Sequence, residues 1–163
     1  IGGALNKKKI FEKKDVWKLV WEFNFGYTIN INNFFIKKFE KNKFGRILYF
    51  TSSITDNKFG SAVYSSSKKA IEDYVLKMGN NFAERNVYIN AINTSIVSGL
   101  GNNWGKFELQ NERSKQNKTL SNFISSKKFG RSEYFKKLIY LLVTKENYFI
   151  TGSIIKADGG YRG

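Results

Sequence analysis

The 163-residue chain contains no histidine, no cysteine and no proline. The first two absences each remove a class of chemistry. Without His there is no Ser-His-Asp hydrolase, no His-ligated metal and no imidazole proton shuttle; without Cys there is no thiol nucleophile, zinc knot or disulfide framework. Catalysis in such a chain has to run on Tyr, Lys, Ser, Asn and carboxylates, and no metal site is expected. Long apolar runs are missing too. The longest, Leu138 to Val143, falls far short of the roughly 20 residues needed to cross a bilayer, and the N-terminus lacks a secretory apolar segment with a cleavage site. These features read as soluble and cytoplasmic, with no membrane partner. The start at Ile1 instead of Met reads as trimming or truncation.

What is present is a core and a charge. Apolar residues make up 41% and aromatics 17%, enough to fold around a buried interior at a length that suits one domain. Lys and Arg total 28 against 13 acids, a net charge of +15. Clustered cations would suggest phosphate neutralisation, but the lysines run along the whole chain (Lys7 to Lys9, Lys37, Lys38, Lys68, Lys69, Lys127, Lys128, Lys136, Lys137) with no nucleic-acid motif. Lys far outnumbers Arg, and Asn, Ile and Phe abound, which reads as compositional bias, so no nucleic-acid partner is expected.

Hydrophobic spacing predicts a long amphipathic helix N-capped by Asp15 and running through Val16, Leu19, Val20 and Phe23 to about Phe39. After Gly45, Ile47 to Phe50 is a short apolar run of the kind buried on both sheet faces. A second helix is expected from about Val63 to Glu84, a second strand over Val87 to Ile92, a helix from Tyr134 to Val143, and a last strand over Ser153 to Lys156. Residues 98–128 read as polar and turn-rich. This order implies parallel βαβ units and an α/β, Rossmann-like, doubly wound parallel sheet of about three strands. So few strands make the sheet incomplete, with one edge lacking neighbours.

Tyr64 and Lys68 stand four apart at the start of the second predicted helix, so they share a face. An ammonium beside a phenol favours the phenolate and is expected to lower the Tyr64 pKa toward neutrality, giving an acid/base for a hydroxyl or carbonyl oxygen. Chance alone supplies about one such pair in a chain this rich in Tyr and Lys, so the setting decides. Ser52 and Ser53 follow the first predicted strand, at the end where open α/β sheets bind ligands, and Asn24 lies on the preceding helix.

With these residues the sequence resembles the short-chain dehydrogenase/reductase family over nearly its whole length. Gly45-Arg46-Ile47-Leu48-Tyr49-Phe50-Thr51-Ser52-Ser53-Ile54 is similar to the family's strand and serine segment, and Tyr64-Ser65-Ser66-Ser67-Lys68-Lys69-Ala70 to its active-site motif. Ile89 to Ile92 resembles the following strand, and Tyr148 to Gly152 through Asp158-Gly159-Gly160 resembles the C-terminal signature. The resemblance implies a nicotinamide cofactor and a carbonyl or alcohol substrate. It makes Tyr64 the acid/base, with Lys68 lowering its pKa and binding the nicotinamide ribose. Ser52 would orient the substrate oxygen, with Ser53 still in play because the stretch to Tyr64 is slightly short. Asn24 would hold a water in a relay to Lys68. Homodimers or homotetramers through the two long helices and the last strand are implied as well.

Two departures stand out. Where the family carries Pro-Gly and a following Thr, this chain reads Thr94, Ser95 and Gly99, leaving Thr94, Ser95 and the Val97 backbone as candidate cofactor contacts. The family's glycine-rich pyrophosphate turn is absent; Ile1-Gly2-Gly3-Ala4 resembles the tail of its Asn-Asn-Ala-Gly segment, as though the chain began after the first four strands. Gly99-Leu100-Gly101-Asn102-Asn103-Trp104-Gly105 has the wrong glycine spacing and opens no evident helix, so it reads as a decoy and the start of a lid over 98–128. Trp104 there either covers a substrate or pins the loop. The choice of NAD or NADP is unreadable. The main reading is an oxidoreductase; the rivals are a truncated non-catalytic remnant or interaction module and, further off, a basic nucleic-acid binder.

Overall fold

A computed structural model describes residues 3–5, 11–58 and 60–162. Ile1 and Gly2, half of the segment likened to the family's Asn-Asn-Ala-Gly, lie outside the described residues, as do Lys7 to Lys9. Helix α1 (Lys14–Trp21) starts two residues earlier than the sequence suggests. Lys13 is the extended N-cap, and Asp15 falls inside the first turn, where a carboxylate complements the positive end of the helix.

The expected unbroken helix to Phe39 is corrected to two, α1 and α2 (Tyr27–Asn42), joined by a π-helical segment at Glu22–Gly26. Two residues accompany the bulge. The Asn24 side-chain amide donates to the Val20 carbonyl at 2.8 Å. At Gly26 a Cβ would lie 2.2 Å from the Glu22 carboxylate, so a larger residue there would require that flexible side chain to move. Apolar periodicity carries no trace of a single extra residue per turn.

Strands β1 (Gly45–Ser52), β2 (Val87–Thr94) and β3 (Ile154–Lys156) form one sheet in the order β1-β2-β3. Both pairings are parallel: Gly45 lies beside Val87, Ser52 beside Thr94, and Ile92 beside Ile155. The expected narrow, incomplete Rossmann-like sheet is what forms. Helix α3 (Ala62–Phe82) crosses from β1 to β2, and α6 (Ser132–Val143) leads toward β3.

Side chains alternate across β2. Val87, Ile89 and Ala91 face Ile36 of α2 and Ile71 and Val75 of α3, whereas Ile92 faces Phe135 and Leu142 of α6. Helices therefore cover both faces, as a doubly wound sheet requires. Ile89, Val87 and Val75 are wholly buried, and each contributes about 1.5–3 kcal/mol through removal of its side chain from water. Gly79 sets how closely α3 approaches: a Cβ there would sit 2.3 Å from the Gly152 nitrogen, so no other residue allows that contact.

Residues 98–128, read as turn-rich, hold two helices, α4 (Asn103–Gln110) and α5 (Arg113–Phe123). α5 is polar almost all round, with Leu120 its one buried residue. Such a helix shows no apolar stripe for a periodicity argument to find. No helix among the described residues is long and apolar enough to cross a membrane.

Candidate active site

The first turn of α3 is built by Ser61, which is extended and whose hydroxyl accepts the Tyr64 N–H at 3.4 Å. That cap places Tyr64 and Lys68 on the side of α3 facing the carboxyl end of β1. Lys68 is buried, with 5% of its surface exposed, and its ammonium donates to the Phe50 carbonyl at 3.0 Å. The ammonium lies 5.9 Å from the centre of the Tyr64 ring.

Burial lowers the Lys68 pKa to about 8. Burial also raises the Tyr64 phenol above its ordinary value, partly offset by hydrogen bonding with Ser52. The expectation that Lys68 draws the Tyr64 pKa toward neutrality is thereby corrected. The ammonium approaches the ring and is held by a backbone carbonyl, while the loss of water around the phenol disfavours the phenolate. A motif spacing reports that two groups share a helix face; it does not report how dry that face is.

The two serines part company. Ser52 is the last residue of β1, its oxygen accepts the Ile54 N–H at 3.4 Å, and its hydroxyl is the neighbour that favours the Tyr64 phenolate. Ser53 begins a 3₁₀ turn, is 2% exposed, and donates to Asn93 Oδ1 at 2.7 Å. Ser52 is thus beside Tyr64, and Ser53 is bound into the interior.

Asn24 is 2% exposed, so it is no surface helix residue. Its Oδ1 accepts the Gly3 N–H at 2.9 Å, and its Nδ2 donates to the Gly3 and Val20 carbonyls at 3.0 and 2.8 Å. The amide is fully used in clasping the segment at Gly3, and the Asn24 carbonyl accepts the Thr28 hydroxyl.

Of the candidate cofactor contacts, Thr94 donates to the Thr51 carbonyl at 3.4 Å and Ser95 to the Asp158 carbonyl at 2.5 Å. Val97 bridges to Gly130 through its neighbours, the Ile96 carbonyl and the Ser98 amide. Its own N–H and C=O therefore point away from Gly130, and the C=O takes the Asn102 amide at 3.0 Å. Ser95 and Val97 line a cavity of about 490 Å³ with Phe129, Phe135, Ala157 and Asp158. Tyr64 and Lys68 are not among its lining residues, so the structure does not bring the two groups of candidate contacts into one cavity.

The fit to a nicotinamide nucleotide is therefore good at the Tyr64–Lys68 end, where a buried ammonium has spent one N–H on Phe50 and keeps two. Among the described residues no such fit is found for the pyrophosphate. The Gly99–Gly105 segment does open a helix, contrary to expectation, but Asn102 caps it and accepts the Gly105 N–H at 2.6 Å, so the helix end serves its own cap. Trp104 packs edge-on against Phe107, and both rest on Ile96, Leu120, Ile124 and Phe129.

Glu72, Asn93 and Asp158 were not foreseen as neighbours of the site. The signal was available for Glu72: an acid on the stripe that otherwise carries Ile71 and Val75. Asn93 followed the apolar run of Val87 to Ile92 without a visible partner.

A sequence profile described as short chain dehydrogenase matches residues 2–106. A curated 3-oxoacyl-[acyl-carrier-protein] reductase of Buchnera aphidicola is 24% identical over 157 residues, covering 95% of this chain and 61% of the relative. A 2-dehydro-3-deoxy-D-gluconate 5-dehydrogenase of Pseudoalteromonas atlantica is 24% identical over 151 residues, 91% of this chain and 57% of the relative. Among solved structures, a 3-oxoacyl (acyl-carrier-protein) reductase of Agrobacterium tumefaciens with NADP bound superposes with a TM-score of 0.84 at 20% identity, over 99% of this chain and 60% of that one. The chain spans about three fifths of the length of the proteins it matches, and at this identity the structural likeness establishes the fold.

Proposed function

Because the chain belongs to the short chain dehydrogenase family, we propose that it is the catalytic part of an oxidoreductase exchanging a hydride between NAD or NADP and a carbonyl or alcohol substrate. The observation that carries this reading is the packing of Ser52, Tyr64 and buried Lys68 around one point at the carboxyl end of β1.

In the reducing direction Tyr64 donates its phenolic proton to the carbonyl oxygen as that oxygen gains charge. Burial keeps the phenol protonated, the form this direction consumes. Ser52 offers a hydroxyl to the same oxygen and fixes its direction. Lys68, protonated below about pH 8, stabilises the phenolate left behind and directs its remaining N–H groups at the ribose. The bound nicotinamide supplies the hydride, chemistry no side chain of this chain provides. Thr94, Ser95 and Val97 border the same strand end and support cofactor contact there. Asn24 contributes to a relay only through its carbonyl, since its amide is spent on Gly3 and Val20.

Residues 98–128 act as the substrate lid, with Trp104 as the pin that seats it on the core. Assembly into homodimers or homotetramers is supported by Tyr27, Ile31, Phe34 and Phe35, large apolar side chains left exposed along α2.

The test titrates NADH and NADPH against the protein by fluorescence and follows cofactor oxidation with a panel of β-keto esters and cyclic ketones. Tyr64→Phe is expected to lose on the order of 10²–10⁴ in turnover with cofactor binding retained. Unchanged turnover sinks the role of Tyr64, and no binding of either cofactor favours the non-catalytic remnant.

A further inference from the structure

Glu72 is a carboxylate 4% exposed, eight residues after Tyr64 on α3. At a rise of about 1.5 Å per residue it stands roughly 12 Å beyond the phenol along the helix, too far to touch the reacting atoms. It is nonetheless tied to three side chains around the site. Its Oε1 accepts from Asn93 Nδ2 at 2.8 Å and lies 3.2 Å from the Thr55 hydroxyl, and its Oε2 accepts from Lys69 at 2.9 Å.

These bonds have a direction. An ionised carboxylate only accepts, so Asn93 must turn its NH₂ toward Glu72 and its carbonyl oxygen the other way. That oxygen faces Ser53, whose hydroxyl must then donate, as it does at 2.7 Å. Thr55 has one hydroxyl hydrogen and two acceptors in reach, Glu72 and the Ser52 carbonyl at 3.0 Å. Whichever it serves, its oxygen is pinned between α3 and the backbone of Ser52. Asp56, one residue on, is joined to Lys156 of β3 at 2.7 Å and lies 3.9 Å from Lys69. The turn from Ser52 to Asp56 is therefore fastened along its length: Ser65 of α3 donates to the Ile54 carbonyl at 3.1 Å, and Glu72 reaches Thr55 directly and Ser53 through Asn93.

The geometry points to Glu72 as a positioning residue: by clamping Thr55 directly and Ser53 through Asn93, it holds the Ser52 hydroxyl against Tyr64. This deepens the oxidoreductase reading and rests on it for its purpose, although the clamp itself is a property of the folded chain. A carboxylate that only kept α3 soluble or balanced Lys69 would sit on the exposed face, where Asp73 is, and not on the stripe of Ile71 and Val75.

The experiment reads the ionisation of Tyr64 in the absence of cofactor and substrate. Tyrosine labelled with carbon-13 at the ring ζ position is incorporated, and the Tyr64 resonance is identified by its loss in Tyr64→Phe. Glu72→Leu removes both clamps, so Ser52 should drift and the Tyr64 pKa should rise further. Glu72→Gln keeps an oxygen facing Asn93 and Thr55, with Lys69 free to swing into solvent, and should restore the wild-type titration.

A mere electrostatic influence predicts the opposite sign: loss of a negative charge would lower the Tyr64 pKa in both variants alike. Either that result or an unchanged titration in Glu72→Leu overturns the clamp. If circular dichroism shows Glu72→Leu unfolded, Thr55→Val carries the test, with a smaller rise expected and no rise overturning the proposal. Where turnover is measurable, Glu72→Leu should lower kcat by about tenfold or more with the cofactor KM unchanged. Absence of any turnover in the unaltered protein would sink the oxidoreductase reading and leave the titration result standing.

Discussion

The two ends of the sheet are built on opposite principles. At the amino end of β2, Val87 and Ile89 meet Ile36, Ile71 and Val75 in a contact that is apolar throughout. At the carboxyl end of β1 and β2 the buried residues are Thr51, Ser53, Asn93, Lys68 and Glu72, and burial there is tolerated only because nearly every polar atom has a partner. The Thr51 hydroxyl is the exception, buried with none. One end stabilises the fold without needing directed bonds; the other spends stability to hold groups in fixed orientations. The same helix, α3, serves both: its first three turns carry Tyr64, Lys68 and Glu72, and its later turns carry Val75 and Gly79.

This contrast can be broken from the apolar end first. Ile89→Ala leaves a hole in a contact with no exposed surface and should cost about 3 kcal/mol of stability. Urea unfolding is expected to show a lower midpoint with an unchanged slope, while turnover per folded molecule stays the same. A drop in turnover before unfolding would mean that the two ends are not separable.

From the polar end the sign reverses. Lys68 has its pKa lowered to about 8 from an ordinary 10.5, so below pH 8 the folded state carries a charge it would rather shed. Between those two values the unfolded chain binds more protons than the folded one, and stability must rise with pH across that window. The penalty at neutral pH is about 3 kcal/mol before the Phe50 hydrogen bond is counted. Lys68→Met should therefore stabilise the protein at neutral pH by about 1–2 kcal/mol, flatten its stability between pH 8 and 10.5, and abolish turnover. A destabilised variant would show that the Phe50 bond outweighs the desolvation of the ammonium.

Much of the apolar end was legible in the sequence, and much of the polar end was not. β1, α3 and β2 announce themselves because runs such as Ile47 to Phe50 and Val87 to Ile92 obey spacing rules that hold wherever a face is buried. That Tyr64 and Lys68 share a helix face, and that Ser52 and Ser53 lie where β1 ends, was also readable, since it depends on position along the chain. What stayed hidden depends on contact across the fold. The π bulge needs Asn24 to meet Val20 and Gly3, the raised Tyr64 pKa needs the dryness of the site, and Asn93 acquires meaning only beside Glu72 and Ser53. Helices α4 and α5 were missed because their polar sequences satisfy helix geometry without displaying a buried stripe.

α4 provides the smallest and sharpest test of the same contrast, because one polar cluster ties it down at the rim. Arg131 makes two bonds to Glu108, at 2.8 and 2.5 Å, and Ser98 donates to the same carboxylate. Arg131 holds the Glu108 pKa below the ordinary carboxylate range, with Ser98 assisting. The contribution is thus complete above that ordinary range and is lost progressively as pH falls from it down through the lowered Glu108 value. Both partners are partly exposed, 41% for Arg131 and 23% for Glu108, so solvent and salt limit the link to about 1 kcal/mol. Glu108→Gln should leave the global unfolding midpoint nearly unchanged while speeding amide hydrogen exchange in α4 and α5 alone, with acidification or high salt doing the same to the unaltered protein. Equal acceleration in α3 and β2 would instead mean that residues 98–128 unfold together with the sheet, and that the rim and the buried site belong to a single cooperative unit.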